Sequence, residues 1–132
     1  MVAGGHVTED LKSNFYSGVV ELETIRLAFV AAVLMVLKVI AADVGSAYVQ
    51  AFTKELIYAI AGPEFGKWAG KTIIIVKALY GLKSSGAMWH MKFAKNLRNL
   101  GFFPCEVDHD LWMRDRGNHW EYVAVIVDDL VL

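Results

Sequence analysis

The sequence predicts an α+β domain, an antiparallel sheet with helices packed on one face. Three observations carry that prediction. Apolar residues recur at helical spacing near Leu22–Met35 and again from Ser84 or Ser85 to Leu100. Short β-branched runs stand elsewhere, Thr72–Val76 and Tyr122–Val127 among them. The resulting order is helix, strand, strand, strand, helix, strand, strand, which suits a single layered core.

The elements follow in order. Residues 1–20 are Gly-rich and polar without a clear period and read as an arm or loop. Ile25, Leu27, Ala28, Ala31, Leu34 and Met35 give the first helix its spacing. Nearly every side of it is apolar, which predicts burial. Val39–Ala42 is a short strand ending at Asp43, with no Gly, Asn or Pro marking the turn before it. Ser46–Phe52 is a short helical segment, Ile57–Ile60 a second strand, and 61–66 a turn-rich link to the third, Thr72–Val76. After a turn at Tyr80-Gly81-Leu82 comes the second long helix, capped by Ser84 or Ser85 and stopped by Gly101. Its apolar stripe is Ala87, Met91, Ala94 and Leu97, with Lys92, Lys95 and Arg98 largely off it. Leu111–Arg114 and Tyr122–Val127 are strands joined through Gly117-Asn118, and Leu130–Leu132 begins a return strand after a turn at Asp128-Asp129.

Composition narrows the class. The 132 residues suffice for one core, and 56% apolar against 20% charged excludes a disordered tail. A compact domain fits, or a piece of one whose neighbours cover part of its apolar surface. Cys105 is the one cysteine, so no internal disulfide forms, and Met1–Lys12 resembles no secretory signal; the expected location is intracellular. The uncharged run Leu27–Leu37 is far short of the roughly 20 residues a spanning helix needs, so no membrane partner is expected.

Net charge is −1, but the average hides a split. From Phe65 to Cys105 stand Lys67, Lys71, Lys77, Lys83, Lys92, Lys95 and Arg98 without one acid, leaving the rest of the chain at −8. Such a stretch is either a footprint for a polyanion or a solvated surface.

The sharpest local feature is Ile126-Val127-Asp128-Asp129-Leu130-Val131, two adjacent acids interrupting apolar strand sequence. Acids beside a buried edge resist ionisation unless a cation neutralises them, and Mg²⁺ prefers carboxylate, water and phosphate oxygens. The plainer reading is a hairpin turn that uses Asp for its geometry. Asp43 also ends an apolar strand; on a neighbouring strand it could share a metal pair with Asp128, and by itself it reads as a cap for the Ser46 segment. Asp108-His109-Asp110 lies at a strand entrance without further ligands, His6, His90 and His119 look unpartnered, and Trp68, Trp89, Trp112 and Trp120 read as core or covering residues.

At this point a family resemblance becomes specific. Asp43-Val44-Gly45-Ser46-Ala47-Tyr48 resembles the first catalytic motif of reverse transcriptases. Leu79-Tyr80-Gly81-Leu82-Lys83 followed by Trp89 resembles the diagnostic stretch of the copia type, and Ile126-Val127-Asp128-Asp129 the second catalytic motif, commonly Tyr-Val-Asp-Asp. Val2-Ala3-Gly4-Gly5, Tyr16-Ser17 with Val19-Val20, and Gly101-Phe102 with Asp108 and Leu111-Trp112 fall where that family has similar residues. The likeness covers nearly the whole chain in order.

The resemblance implies an RNA-directed DNA polymerase of a copia-type retrotransposon, a nucleotidyltransferase whose fold is a palm-like antiparallel sheet. It implies one partial domain over residues 1–132: a fingers-derived arm at 1–20 and a palm core at 21–132, with a fingers insertion near 55–78. Asp43, Asp128 and Asp129 would be catalytic, with two Mg²⁺ ions (or Mn²⁺ in substitution) on Asp43, Asp128 and the backbone carbonyl of Val44. Tyr48 and Ala47 would select the sugar of the dNTP, and Lys83, Ser84, Ser85, Gly86 and Ile126 would contact an RNA template and DNA primer, with helix N–H groups open to phosphate. Four departures stand out: Ile126 for the usual Tyr, Ser84-Ser85 for Gln-Ala, Val33–Val36 in place of a polar turn, and Phe52 in place of Pro. Leu132 follows the acidic pair by three residues, so the expectation is a palm truncated before the thumb, inactive or weakly active by itself. The alternative is a non-catalytic relic that holds nucleic acid through its basic stretch.

Overall fold

The computed structural model describes residues 17–132; Val2–Gly5, His6, Tyr16 and most of the expected arm lie outside the described residues. The described chain falls into two compact units, Tyr48–Trp89 and a second made of 17–47 with His90–Leu132.

The second unit carries a five-stranded antiparallel sheet in the order β1-β7-β6-β5-β4. Its strands are β1 (Ala41–Asp43), β4 (Phe103–Pro104), β5 (Leu111–Asp115), β6 (Trp120–Ile126) and β7 (Asp129–Val131). Strand residues alternate between faces, so Trp112, Val123, Val125 and Leu130 share one. There they meet Ala94 and Leu97 of helix α3 (Ser85–Asn99) together with Phe102. Each of these large side chains contributes about 1.5–3 kcal/mol by leaving water, so this cluster anchors the unit. The antiparallel sheet and its packed helix therefore agree with the sequence. The two-residue β4 was not expected, since Pro104 argues against a strand; at a sheet edge its missing N–H leaves no ladder bond broken.

Helix α1 (Leu22–Leu34) forms where its spacing predicts but is not buried as expected. Ala32 is its one buried residue, and Leu27, Val30, Val33 and Leu34 face outward. A helix apolar on every side exceeds what one sheet contact can cover. Its C-terminus needs no Gly: the N–H groups of Leu37 and Val36 bond the carbonyls of Ala32 and Val33 at 2.8 and 3.3 Å, a Schellman closure. That closure forces Val36 to φ 55°, a conformation β-branched residues avoid.

The Tyr48–Trp89 unit contains the hairpin of β2 (Phe52–Ile60) and β3 (Thr72–Lys77), paired Ile57↔Ile75 through Ile60↔Thr72 with a register shift between Phe52 and Ile57. Short helix α2 (Ala47–Gln50) leads into it. One face of the hairpin, including Leu56, Tyr58, Ile60, Ile74 and Val76, is exposed. β2 begins five residues before the predicted Ile57: Phe52 already pairs with Lys77, and Thr53-Lys54-Glu55, which carries no strand signature, lies in the irregular stretch where the register shifts.

Two further corrections concern side chains. Met91 is exposed, and the buried stripe of α3 runs through Ala87, Ala94 and Leu97. His90 takes the intervening helical position, and it has a partner. Trp89 and Trp112 are buried as expected, but Trp68 and Trp120 are not.

Candidate active site

β7 lies between β1 and β6, hydrogen-bonded to both, and this brings the two acidic motifs together within the second unit. The β1–β7 register pairs Ala42 with Leu130 and Asp43 with Asp129, and the Val44 N–H donates to the Asp128 carbonyl at 2.8 Å. On the other side Ile126 pairs with Asp129, which closes a two-residue turn of Val127 and Asp128. The sequence reading put that turn one residue later. It underrated Val127, which sits at φ 58° in a position that usually takes Gly. Val127 thus holds a conformation costing of order 1–3 kcal/mol, and it is the residue that presents Asp128.

Asp43 and Asp129 are exposed, while Asp128 and Ile126 are half-buried. Alternation puts Asp43 and Asp129 on the face opposite Ala42 and Leu130, away from the α3 core. Among the described residues no three His, Cys, Asp or Glu side chains converge to hold a metal ion. The donors available are carboxylates and backbone carbonyls, an all-oxygen set that suits Mg²⁺, whose remaining positions are filled by water and phosphate. Like charges directly opposite on paired strands repel.

The other predicted residues lie in the Tyr48–Trp89 unit or at its boundary. Ala47 is fully buried. Tyr48 is half-buried and stacks on Tyr80 with ring centroids 4.4 Å apart, so its ring is held in one orientation. Lys83 is exposed and Gly86 half-buried. Ser84 and Ser85 are buried and engaged internally: the Ser85 hydroxyl donates to the Leu79 carbonyl at 2.7 Å, and the Ser84 hydroxyl bonds the Glu55 carboxylate. The same Glu55 oxygen accepts the Ser84 N–H at 2.9 Å. An internal carboxylate therefore already occupies the Ser84 amide at the head of α3, where an anion is favoured. Sequence reading missed Glu55 because its partner lies 29 positions away, with no periodic signal linking them.

A second buried network supports the sheet. Asp110, 1% exposed, lies 2.5 Å from His90 Nε2 on α3. Burial alone raises the Asp108 carboxyl, but N–H groups of Glu21 and Asp110, at 2.9 and 3.0 Å, outweigh it and hold that acid below the usual carboxylate range. Asp108 and Asp110 are thus structural anchors at the β5 entrance. Desolvation raises the Glu121 carboxyl, but the hydrogen bonds and charges of Arg114 and Arg116 together outweigh it and hold that acid below its usual range.

The antiparallel sheet joins two acidic motifs, and comparison with known proteins gives the class to which the chain belongs. Residues 2–132 match the family model described as reverse transcriptase (RNA-dependent DNA polymerase), and the chain belongs to that family. Its relatives are of the copia type. It is 28% identical over 119 residues to the retrovirus-related Pol polyprotein from transposon RE1 of Arabidopsis thaliana, covering 89% of this chain and 8% of that protein. It is 29% identical over 123 residues to the Pol polyprotein from transposon TNT 1-94 of Nicotiana tabacum, covering 90% and 9%. A transposon Ty5-1 protein of Saccharomyces cerevisiae is 29% identical over 92 residues, covering 68% and 30%. The chain thus spans under a third of each of these relatives. No solved structure matches it significantly. No helix among the described residues is long and apolar enough to cross a membrane.

Proposed function

We propose that this reverse transcriptase domain contributes the acidic core for RNA-directed DNA synthesis, in which a primer 3′-hydroxyl takes the nucleotidyl group of a dNTP and pyrophosphate leaves. The β1–β7 register, with Asp43 opposite Asp129 and Val44 bonded to Asp128, carries this reading. Asp43, Asp128 and the Val44 carbonyl would hold two Mg²⁺ ions, or Mn²⁺, with Asp129 alongside. Bound there, the metal pair supplies charge stabilisation for in-line phosphoryl transfer. Asp43 and Asp128 orient the triphosphate and the primer end, and Val127 fixes where Asp128 stands. Tyr48, braced by Tyr80, offers a rigid ring edge against a ribose 2′-hydroxyl, and Ala47 shapes the backbone beneath it. Lys83 and Gly86 in one unit, and Ile126 in the other, are open or half-open to solvent and would contact template and primer. Ser84 and Ser85 hold the turn at the head of α3 through Glu55 and Leu79.

Primer extension on an RNA template with Mg²⁺ or Mn²⁺ tests the reading. Weak incorporation by the 132-residue chain, abolished in Asp128→Ala, supports it; incorporation that survives Asp128→Ala overturns it. The acid-free stretch from Phe65 to Cys105 favours one second reading, a nucleic-acid-binding domain without catalysis. Salt-steep binding with no incorporation at all would select that one.

A further inference from the structure

The loop that closes the β2–β3 hairpin presents an aromatic ring to solvent between two cations. Trp68 is 52% exposed at the end of the 3₁₀ segment Pro63–Trp68. Lys67 Nζ lies 5.3 Å and Lys71 Nζ 4.8 Å from its ring centroid. Neither ammonium pairs with a carboxylate among the described residues.

The exposure is built into the loop. Phe65 N–H bonds the Gly62 carbonyl at 3.1 Å, Ala69 the Gly66 carbonyl at 3.0 Å, and Lys71 the Trp68 carbonyl at 3.0 Å. The Gly70 N–H donates to the Ala61 carbonyl at 2.8 Å and the Ala61 N–H to the Lys71 carbonyl at 2.9 Å, which closes the base. Gly66 and Gly70, at φ 55° and 76°, allow these reversals. A large ring held outward by so many backbone bonds is preorganised for a ligand, because ordering it on binding loses little entropy.

We propose that Trp68, flanked by Lys67 and Lys71, is a stacking platform for one base of single-stranded nucleic acid. A base stacks on the ring regardless of its identity, since every base has a π-face. Cation–π contacts at exposed sites are weak, so each ammonium leaves the ring readily for a phosphate beside the stacked base. A duplex, with its bases already stacked, gains nothing from the ring. The inference rests on the nucleic-acid reading above but assigns it a contact outside the acidic site.

Fluorescence anisotropy of the 132-residue chain with labelled single-stranded oligo(dT) tests it. Trp68→Ala is expected to weaken binding about tenfold. Trp68→Phe, which keeps a ring, retains most of the affinity, and Trp120→Ala, a second exposed tryptophan, leaves it unchanged. Lys67→Ala and Lys71→Ala should each flatten the log–log salt slope by about 0.7. Oligo(dT) should also quench tryptophan emission in the wild type and much less in Trp68→Phe. Equal binding by Trp68→Ala and wild type, or equal losses for Trp68→Ala and Trp120→Ala, overturns the platform alone. Failure of the wild-type chain to bind oligo(dT) at all overturns the nucleic-acid reading with it.

Discussion

Asp43 and Asp129 stand directly opposite one another across the β1–β7 ladder, in a pair that exchanges no backbone hydrogen bonds. Ile40 and Leu132 exchange both their bonds at 2.8 Å, and antiparallel pairs alternate from there, leaving the two acids in the narrower kind of pair. Their side chains are therefore as close as paired strands allow. Replacing one of them, in Asp129→Asn, should stabilise the metal-free chain by about 0.5–1 kcal/mol. In thermal melts Mg²⁺ should raise the wild-type midpoint more than that of the variant; equal responses would mean no cation resides between them.

Val36 offers a stabilising change that touches no packing. It is 90% exposed and held at φ 55° by the Schellman closure of α1. Val36→Gly removes a left-handed penalty of about 1–2 kcal/mol and adds back some unfolded-state entropy. The expected net gain is about 0.5–1 kcal/mol, read as a higher urea midpoint with an unchanged m-value.

Asp110 and His90 should behave as one unit. Asp110→Ala takes the carboxylate partner from a half-buried imidazole and is expected to cost about 1–3 kcal/mol. His90→Ala removes the same contact from the other side. The double variant should therefore cost less than the two single losses combined, by at least about 1 kcal/mol in a urea-denaturation cycle.

Asp108 makes stability depend on acid pH. Its folded carboxyl lies below the unfolded value of about 3.9, so the folded chain binds fewer protons there. The stabilisation is fully present above that unfolded value and is lost as pH falls through the folded one. Asp108→Asn cannot titrate, though its one amide oxygen keeps an acceptor for only one of the Glu21 and Asp110 N–H groups, which bond different carboxylate oxygens. Urea midpoints measured from pH 6 down to pH 3 should fall less steeply in the variant, the difference opening below about pH 4.

Much of this was legible in the sequence. β-branched runs located β3 and β6, and the Gly101 stop ended α3, because each signal is local. The acidic face was legible only as a conjecture, since the pairing of Asp43 with Asp129 is a register between strands far apart in the chain. The Val127-Asp128 turn was misplaced because a β-branched residue at positive φ contradicts propensity, and such contradictions collect at functional sites. Hydrophobicity alone puts Met91 on the buried stripe and treats His90 as unpartnered, because it sees no carboxylate at Asp110. The engagement of Ser84 by Glu55 and the exposure of Trp68 depend on how a hairpin and its loop fold back, which no periodicity encodes.

The position of β7 also sets the order in which the molecule can be assembled. Its three residues are threaded between two strands made earlier, so β1 has no partner on that side until the ribosome has added everything between Asp43 and Asp129. At roughly 5–20 residues per second that wait is several seconds. During it, Asp43 stands on an unpaired strand, and the two acidic motifs meet only when β7 arrives.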